Sequence, residues 1–132
     1  MSNEELRILI VENNDIYREL FKNMLHTAFP NVAIDEATDG RVALYKVDAF
    51  LPDIIFMDIH LGEENGIILT KKIKAVRPDI RIVILTFYDI PEYQTAALQS
   101  GADRLLLKSS LSVANLQELI KSYQKPLRNV MH

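Results

Sequence analysis

Three short apolar runs, each closed by a polar residue, constrain this sequence more than any other feature. They lie within residues 7–11, 53–57 and 80–85, and none shows the apolar–polar alternation of a half-exposed strand. Continuous apolar runs of this length are typical of strands that are buried on both faces of a parallel sheet. The sequence therefore predicts a parallel sheet that helices cover on both sides.

A first helix is predicted directly after the first strand. Asn13, Asn14 or Asp15 can cap its N-terminus, and the helix must end before Pro30. The apolar residues that follow helical spacing here are Ile16, Leu20, Met24 and Leu25.

Similar signals organise the middle of the chain. Residues 32–36 alternate between apolar and polar side chains, which predicts an edge or half-exposed strand. A second helix begins at Asp39-Gly40, and a third ends at about Val76 because Pro78 stops it. These elements alternate with the buried strands.

The last third of the chain repeats the strand–helix alternation. Pro91 suits the first turn of a fourth helix, and Gly101 suits its left-handed C-terminal cap. Residues 104–107 form a short last strand, and Ser112 can cap a fifth helix. One face of that helix carries Val113, Leu116, Leu119, Ile120 and Tyr123. The predicted fold is an α/β, doubly wound (βα)5 open parallel sheet with right-handed crossovers.

Composition limits where such a domain acts. The 132 residues fit one domain, and their net charge of −3 gives no general attraction to nucleic acid or anionic membranes. The sequence has no cysteine, no signal-peptide pattern and no apolar run near the ~18 residues of a membrane span. These features predict a cytoplasmic location without membrane contact.

Polar residues follow the predicted strands, and they are the candidate site. In an open parallel sheet, ligands bind outside the carboxyl ends of the strands, where the strand order reverses. Residues that are distant in sequence should therefore meet at one edge of the sheet. The candidates are Glu12, Asn13, Asp58, Thr86 and Lys108.

The candidates form a chemically consistent set. The Asp58 carboxylate is a possible nucleophile or metal ligand, and Glu12 and Asn13 add the hard oxygens that Mg²⁺ prefers. Thr86 offers a hydroxyl donor, and Lys108 offers a positive charge. Each residue alone is better explained as turn, strand or surface chemistry. Jointly they predict transfer of a phosphoryl group to an aspartate. That reaction requires the negative charges of the carboxylate and of the phosphoryl group to be neutralised together.

Four stretches of the chain resemble the receiver domains of bacterial two-component response regulators. The matching stretches are ILIVEN, PDIIFMDIHLGEENG, VILTFYD and GADRLLLKSS. They occur in the order and spacing that the family shows, and together they span about residues 7–123. The resemblance implies a flavodoxin-like fold with strand order 2-1-3-4-5. It assigns a receiver domain to residues 1–123 and a C-terminal tail or linker stump to residues 124–132.

The resemblance also implies a role for each site residue. Asp58 would accept a phosphoryl group from a sensor histidine kinase or a phosphotransfer protein. Thr86 would donate to a phosphoryl oxygen and move on activation, and Lys108 would pair with the phosphoryl group. The ligands of Mg²⁺ would be Glu12, Asn13, Asp58 and the backbone carbonyl of His60.

A receiver of this kind is a signalling switch rather than an enzyme. Its chemistry is limited to self-phosphotransfer and autodephosphorylation. Phosphorylation would bias its conformation and so change its interaction with an output domain or an effector protein. A homodimer is a further partner that the family allows, whereas nucleic acid contact by this domain itself is not expected.

The sequence departs from the family pattern at Ser109, where proline is common, and at three positions that bear on phosphorylation. Asn13 stands where a second acid is usual, and Leu105 stands where the family has its switch aromatic. Phe87 replaces a small residue, and its ring would hinder small phosphodonors, shield the acyl phosphate from water or swing outward. The alternative hypothesis is therefore a degenerate receiver that binds proteins without being phosphorylated.

Two other classes are less consistent with the sequence. A flavodoxin-like cofactor binder needs a Gly-rich or Ser/Thr-rich phosphate loop after the first strand, where VENND stands instead. An aspartyl phosphatase tends to have a second acid two residues after its nucleophile, where this chain has His60.

Overall fold

A five-stranded parallel sheet forms the centre of the computed structural model, which describes residues 6–124. The strands are β1 (Arg7–Val11), β2 (Ala33–Ala37), β3 (Ile54–Asp58), β4 (Arg81–Thr86) and β5 (Arg104–Leu107). All four neighbouring pairs are parallel, and the strand order is β2-β1-β3-β4-β5. The predicted fold class and strand order are thus confirmed.

One helix follows each strand. The helices are α1 (Asp15–Ala28), α2 (Gly40–Phe50), α3 (Gly66–Val76), α4 (Pro91–Gln99) and α5 (Val113–Gln124). The side chains of Asn14, Asp39 and Ser112 each accept a backbone amide from the first helical turn. Gly101 has a φ of +98°, as its predicted place after α4 requires.

The two faces of the sheet carry separate hydrophobic clusters. Residues of α2, α3 and α4 pack on one face, and residues of α1 and α5 pack on the other. All residues of β3 are buried, so this central strand is held from both sides. It therefore holds Asp58, its last residue, in a fixed place at the carboxyl edge of the sheet.

The core-facing stripe of α1 differs from the one that the sequence suggests. The predicted Leu25 is fully buried and Met24 packs against the core, but Ile16 and Leu20 are 83% and 53% exposed. Phe21, which the predicted stripe did not include, is fully buried. Two overlapping stripes satisfy helical spacing in this segment, one residue apart. The stripe that contains Phe21 faces the core because its ring packs edge-on against Phe56 of the sheet.

The segment between β3 and α3 folds into a small hairpin that the sequence pattern does not predict. Its two strands, His60–Leu61 and Glu64–Asn65, pair antiparallel around Gly62, which has a φ of +69°. The Glu64 carboxylate accepts the backbone N–H of Gly40 at 2.6 Å. The hairpin is thereby tied to the N-terminus of α2.

The C-terminal boundary differs by one residue from the predicted one. Gln124, the first residue assigned to the tail, is the last residue of α5. The rest of that segment, residues 125–132, lies outside the described residues. Across residues 6–124, no helix has both the length and the apolar character that crossing a membrane requires.

Candidate functional site

A pocket of about 230 Å³ opens at the carboxyl edge of the sheet, and every candidate residue from the sequence lines it. Because β1, β3, β4 and β5 all end here, their last or following residues meet although up to 96 positions separate them. The lining residues are Glu12, Asn13, Asn14, Tyr17, Asp58, His60, Thr86, Phe87, Tyr88 and Lys108.

The ammonium group of Lys108 lies between two carboxylates. Its Nζ is 2.8 Å from Oε1 of Glu12 and 3.4 Å from Oδ1 of Asp58. The side chains of Lys108 and Glu12 are only 4% and 3% exposed. A buried charge needs a partner of opposite sign, and here one ammonium serves both carboxylates. The three charged groups together carry one net negative charge.

The Asp58 carboxyl group is electrostatically unusual. Burial raises its pKa to about 6, and the nearby Glu12 carboxylate also raises it. The Lys108 ammonium and a hydrogen bond from the backbone N–H of His60 act in the opposite direction. Asp58 is therefore mostly ionised at pH 7, and its ionisation lowers the stability of the folded state.

This cost predicts a pH-dependent effect of Asp58→Asn on stability. The folded-state pKa of about 6 lies above the unfolded value of about 3.9, so ionisation of Asp58 opposes folding. We expect Asp58→Asn to raise the free energy of unfolding by about 2 kcal/mol at pH 8, after allowing for solvent screening at the pocket mouth. The gain should shrink as the pH falls from 6 towards 4 and should vanish below about pH 3, where the wild-type carboxyl is protonated in both states.

Urea unfolding at pH 8 and pH 4.5 checks the expectation. Asp79→Asn is the matched control, because Asp79 is an exposed carboxylate between α3 and β4. A gain for Asp58→Asn that is equal at the two pH values would contradict the assigned electrostatics.

The side chain of Glu12 is buried, whereas Asn13 is exposed to solvent. Glu12 points inward, where Oε1 meets Lys108 and Oε2 accepts the backbone N–H of Asn14 at 3.0 Å. Asn13 is exposed at the pocket mouth. The carboxylate with a formal charge is thus the buried member of the pair.

Thr86 ends β4 inside the same pocket. Thr86 is 1% exposed, and its Oγ1 accepts a hydrogen bond from the backbone N–H of Tyr88 at 3.1 Å. The hydroxyl proton is not used in that bond, so it is available to a group that enters the pocket. Leu105, at the position of the family's switch aromatic, is partly buried and packs against the cluster on the α2–α4 face.

Two aromatic residues enclose the Lys108 ammonium, and only one of them was predicted from the sequence. Nζ lies 4.4 Å from the ring centroid of Tyr17 and 5.0 Å from that of Phe87. Burial, with the charges of Glu12 and Asp58, raises the pKa of the Tyr17 hydroxyl, so it stays protonated. The spacing of apolar residues along α1 does not single out Tyr17, because its contact with Lys108 depends on how the helix is rotated about its axis.

His60 and Tyr88 line the pocket, and His60 also contacts Tyr93 outside it. The His60 ring meets Tyr88 edge-on with centroids 5.6 Å apart, and its Nε2 lies 3.5 Å from the Tyr93 hydroxyl. His60 itself is exposed. Its side chain is therefore held beside the Asp58 loop, while its backbone contacts the Asp58 carboxylate.

Gly66 fixes the backbone behind Asp58. Its N–H donates to the carbonyl of Ile59 at 2.7 Å. A Cβ atom at this position would clash with the backbone carbonyl oxygen of Asp58. The first residue of α3 thus packs directly on the strand end that carries the carboxylate, which only glycine permits.

The donor atoms of the pocket fit a hard divalent cation. Glu12 and Asp58 supply carboxylates and Asn13 an amide oxygen, and Mg²⁺ is commonly held by one or two carboxylates, phosphate oxygens and water. Within residues 6–124, no cluster of three or more acidic or histidine side chains is arranged to hold a metal. Lys108 already occupies one face of Glu12, so a metal ion would share that carboxylate with an ammonium.

Comparison with known proteins gives consistent results. The sequence model of the response regulator receiver domain matches residues 8–121. The oxygen regulatory protein NreC of Staphylococcus carnosus (strain TM300) is 35% identical over 106 residues, which are 80% of this chain and 49% of NreC. The transcriptional regulatory protein YdfI of Bacillus subtilis (strain 168) has the same identity and coverage. The chain spans about half the length of these curated relatives.

Solved structures show the same similarity over nearly the whole chain. A two-component response regulator from Clostridium difficile superimposes with a TM-score of 0.84 at 28% identity, covering 93% of this chain and 98% of that structure. A LuxR-family two-component response regulator from Aurantimonas sp. SI85-9A1 gives a TM-score of 0.81 at 28% identity, covering 90% and 84%.

Proposed function

The chain belongs to the response regulator receiver domain family of two-component systems, and we propose that Asp58 is its phosphoacceptor. The donor would be a sensor histidine kinase or a phosphotransfer protein, and the reaction would depend on Mg²⁺. The receiver domain would extend to Gln124, the last residue of α5. The observation that carries this proposal is the Lys108 ammonium placed against both Glu12 and Asp58 in an open, polar pocket.

The chemistry of the proposal is a phosphoryl transfer between two side chains. An ionised Oδ of Asp58 attacks the phosphorus atom of a phosphohistidine, a P–O bond forms and the N–P bond breaks. Its pKa of about 6 leaves Asp58 ionised and ready to attack at neutral pH. Lys108 and the Thr86 hydroxyl would then contact oxygens of the transferred group.

Mg²⁺ would neutralise phosphoryl charge when bound, and its ligands would be Glu12, Asn13, Asp58 and the His60 carbonyl. The inward orientation of Glu12 supports its part in this set. Because Lys108 contacts the same carboxylate, a bound metal ion and the ammonium would repel each other. We propose that this repulsion favours Lys108 contact with the phosphoryl group over contact with Glu12.

The output of the switch would be a changed interaction with another protein or domain. Two relatives are named as regulatory proteins of about twice the length of the matched region, so an attached output domain is the partner we propose first. An effector protein or a second copy are further partners of the same kind. We place the protein in the cytoplasm and assign it no catalytic turnover beyond self-phosphotransfer and autodephosphorylation.

A degenerate receiver is the second candidate, and Asn13 is the observation that favours it. An amide at the pocket mouth carries no formal charge, which weakens the attraction for a divalent cation. In that case the domain would bind its partner without phosphorylation. Glu12, Asp58, Thr86 and Lys108 in one pocket favour the phosphorylatable switch.

Phosphoryl incorporation separates the two candidates. The protein is incubated with Mg²⁺ and either a phosphorylated histidine kinase or phosphoramidate, and intact-mass spectrometry counts phosphoryl groups. We expect one group per chain, lost with EDTA and in Asp58→Asn but retained in Asp79→Asn. Absence of incorporation from both donors would support the degenerate receiver instead.

Asn13→Asp should strengthen Mg²⁺ binding. A second carboxylate beside Glu12 adds a full charge within a few ångströms of the cation, and we expect about tenfold tighter binding. Titration of tyrosine fluorescence or calorimetry measures the dissociation constant. Asn14→Asp is the matched control, since it adds the same charge one residue further on, at a cap position that aspartate also fills. Equal tightening in both variants would contradict the assignment of residue 13 as a ligand.

A further inference from the structure

The Lys108 ammonium has four neighbours that surround it in two pairs. Glu12 and Asp58 contribute carboxylate oxygens, and Tyr17 and Phe87 contribute ring faces. The two rings also meet each other edge-on, with centroids 5.7 Å apart. We call Tyr17 and Phe87 the aromatic clamp.

We propose that the aromatic clamp consists of positioning residues that hold the Lys108 ammonium at the Asp58 carboxylate for contact with a phosphoryl group. The inference rests on the proposed function of Asp58. Neither ring acts on the phosphoryl group itself. Both act through Lys108.

Lysine needs such positioning because of its own flexibility. Its charge is carried on a four-carbon stem, is strongly hydrated and forms no fixed fork of hydrogen bonds. Without neighbours, the ammonium would turn towards water at the open mouth of the pocket. An aromatic face attracts a cation, and the attraction grows where water is excluded, as it is around Lys108.

Tyr17 is the fixed half of the clamp. Its backbone N–H is bound by the Asn14 cap at 2.8 Å. Its ring stacks on Phe21 with centroids 6.1 Å apart and an interplanar angle of 15°, and Phe21 is fully buried. The hydrophobic core thereby fixes the ring that faces Lys108.

Phe87 is the outer half of the clamp. It is 58% exposed and rests on Tyr17 and Lys108. A large exposed aromatic side chain directly after Thr86 has no core to stabilise it. Its contacts with the ammonium and with Tyr17 give it a role in this pocket, and they explain why a larger residue is accommodated after the threonine.

The test compares variants that remove the rings with variants that keep them. Tyr17→Leu/Phe87→Leu removes both ring faces but retains apolar bulk, and Tyr17→Phe removes only a hydroxyl. Tyr45→Leu is the matched control, because Tyr45 is an exposed tyrosine of α2 outside the pocket. The first readout is the NMR shift of the Lys108 ε-methylene protons in the metal-free protein, which ring currents move upfield.

The second readout is the affinity for beryllofluoride with Mg²⁺, an equilibrium that does not depend on how fast a donor enters. We expect the double variant to lose the upfield shift and to bind about tenfold more weakly. Tyr17→Phe and Tyr45→Leu should remain within about twofold of wild type. In a Lys108→Met background, removal of the rings should cause no further loss of affinity, because the clamp acts through the ammonium.

The outcomes distinguish this inference from the proposed function. Wild-type protein that fails to bind beryllofluoride overturns the function, while the upfield shift still reports on the clamp. Wild-type binding that the double variant retains in full overturns the clamp. An equal loss of affinity in the Lys108→Met background also overturns it, since a purely structural effect of the rings would persist there.

Discussion

Lys108→Met is expected to lower the free energy of unfolding by about 3 kcal/mol at pH 8, because it leaves the buried carboxylates without their cation. Within residues 6–124, no other basic side chain forms an ion pair within 4.0 Å of the carboxylate oxygens of Glu12 or Asp58. Methionine keeps the length of the side chain, so the loss reports on charge more than on packing. Urea unfolding of the purified protein measures the effect.

Two further variants show whether charge is the cause. Lys46→Met breaks an ion pair with Asp35 that is partly exposed, and it should cost less than about 1 kcal/mol. Glu12→Gln combined with Lys108→Met should recover part of the stability, because it removes one of the two unpaired charges. A loss that is equal for Lys46→Met and Lys108→Met would contradict a buried charge cluster.

Gly66→Ala should strongly destabilise the protein, although it only replaces one hydrogen atom with a methyl group. The added methyl group would clash with the Asp58 backbone carbonyl, and neither backbone segment can yield as a flexible side chain would. We expect a loss of about 3 kcal/mol of stability, as for severe overpacking, together with reduced phosphorylation of Asp58. Thermal unfolding and the phosphoryl incorporation assay measure the two effects.

Gly62→Asn is the control for this prediction. Gly62 has a positive φ, which asparagine tolerates, and a Cβ atom added there would meet nothing within 4 Å. This variant should change both stability and phosphorylation little. Normal stability and normal phosphorylation of Gly66→Ala would show that the close approach to Asp58 has no consequence.

The strand ends were predictable because the sheet itself places them. Continuous apolar runs fix the strands, and parallel strands bring their carboxyl ends to one edge whatever the helices do. Asp58 and Lys108 therefore could be expected together from the sequence, and the structure places them 3.4 Å apart. Their chemical roles were implied by the resemblance and by the combination of residue types.

Residues on helices and in loops were harder to predict, for a physical reason. The contact of Tyr17 with Lys108 depends on how α1 rotates about its axis, and spacing alone allowed the stripe of Ile16 and Leu20 as well. The role of Gly66 depends on the hairpin that returns the chain to Asp58. Such tertiary geometry leaves no pattern in a single sequence.

The most direct test of Asp58 as phosphoacceptor locates the phosphoryl group on the chain. Borohydride reduces an aspartyl phosphate to homoserine, so the phosphorylated protein is reduced, digested and sequenced by mass spectrometry. We predict homoserine at position 58, in an amount that follows the degree of phosphorylation and disappears without Mg²⁺. The assignment would be contradicted if phosphorylated protein still contained unreduced Asp58 after the treatment, or if homoserine stood in place of a different aspartate.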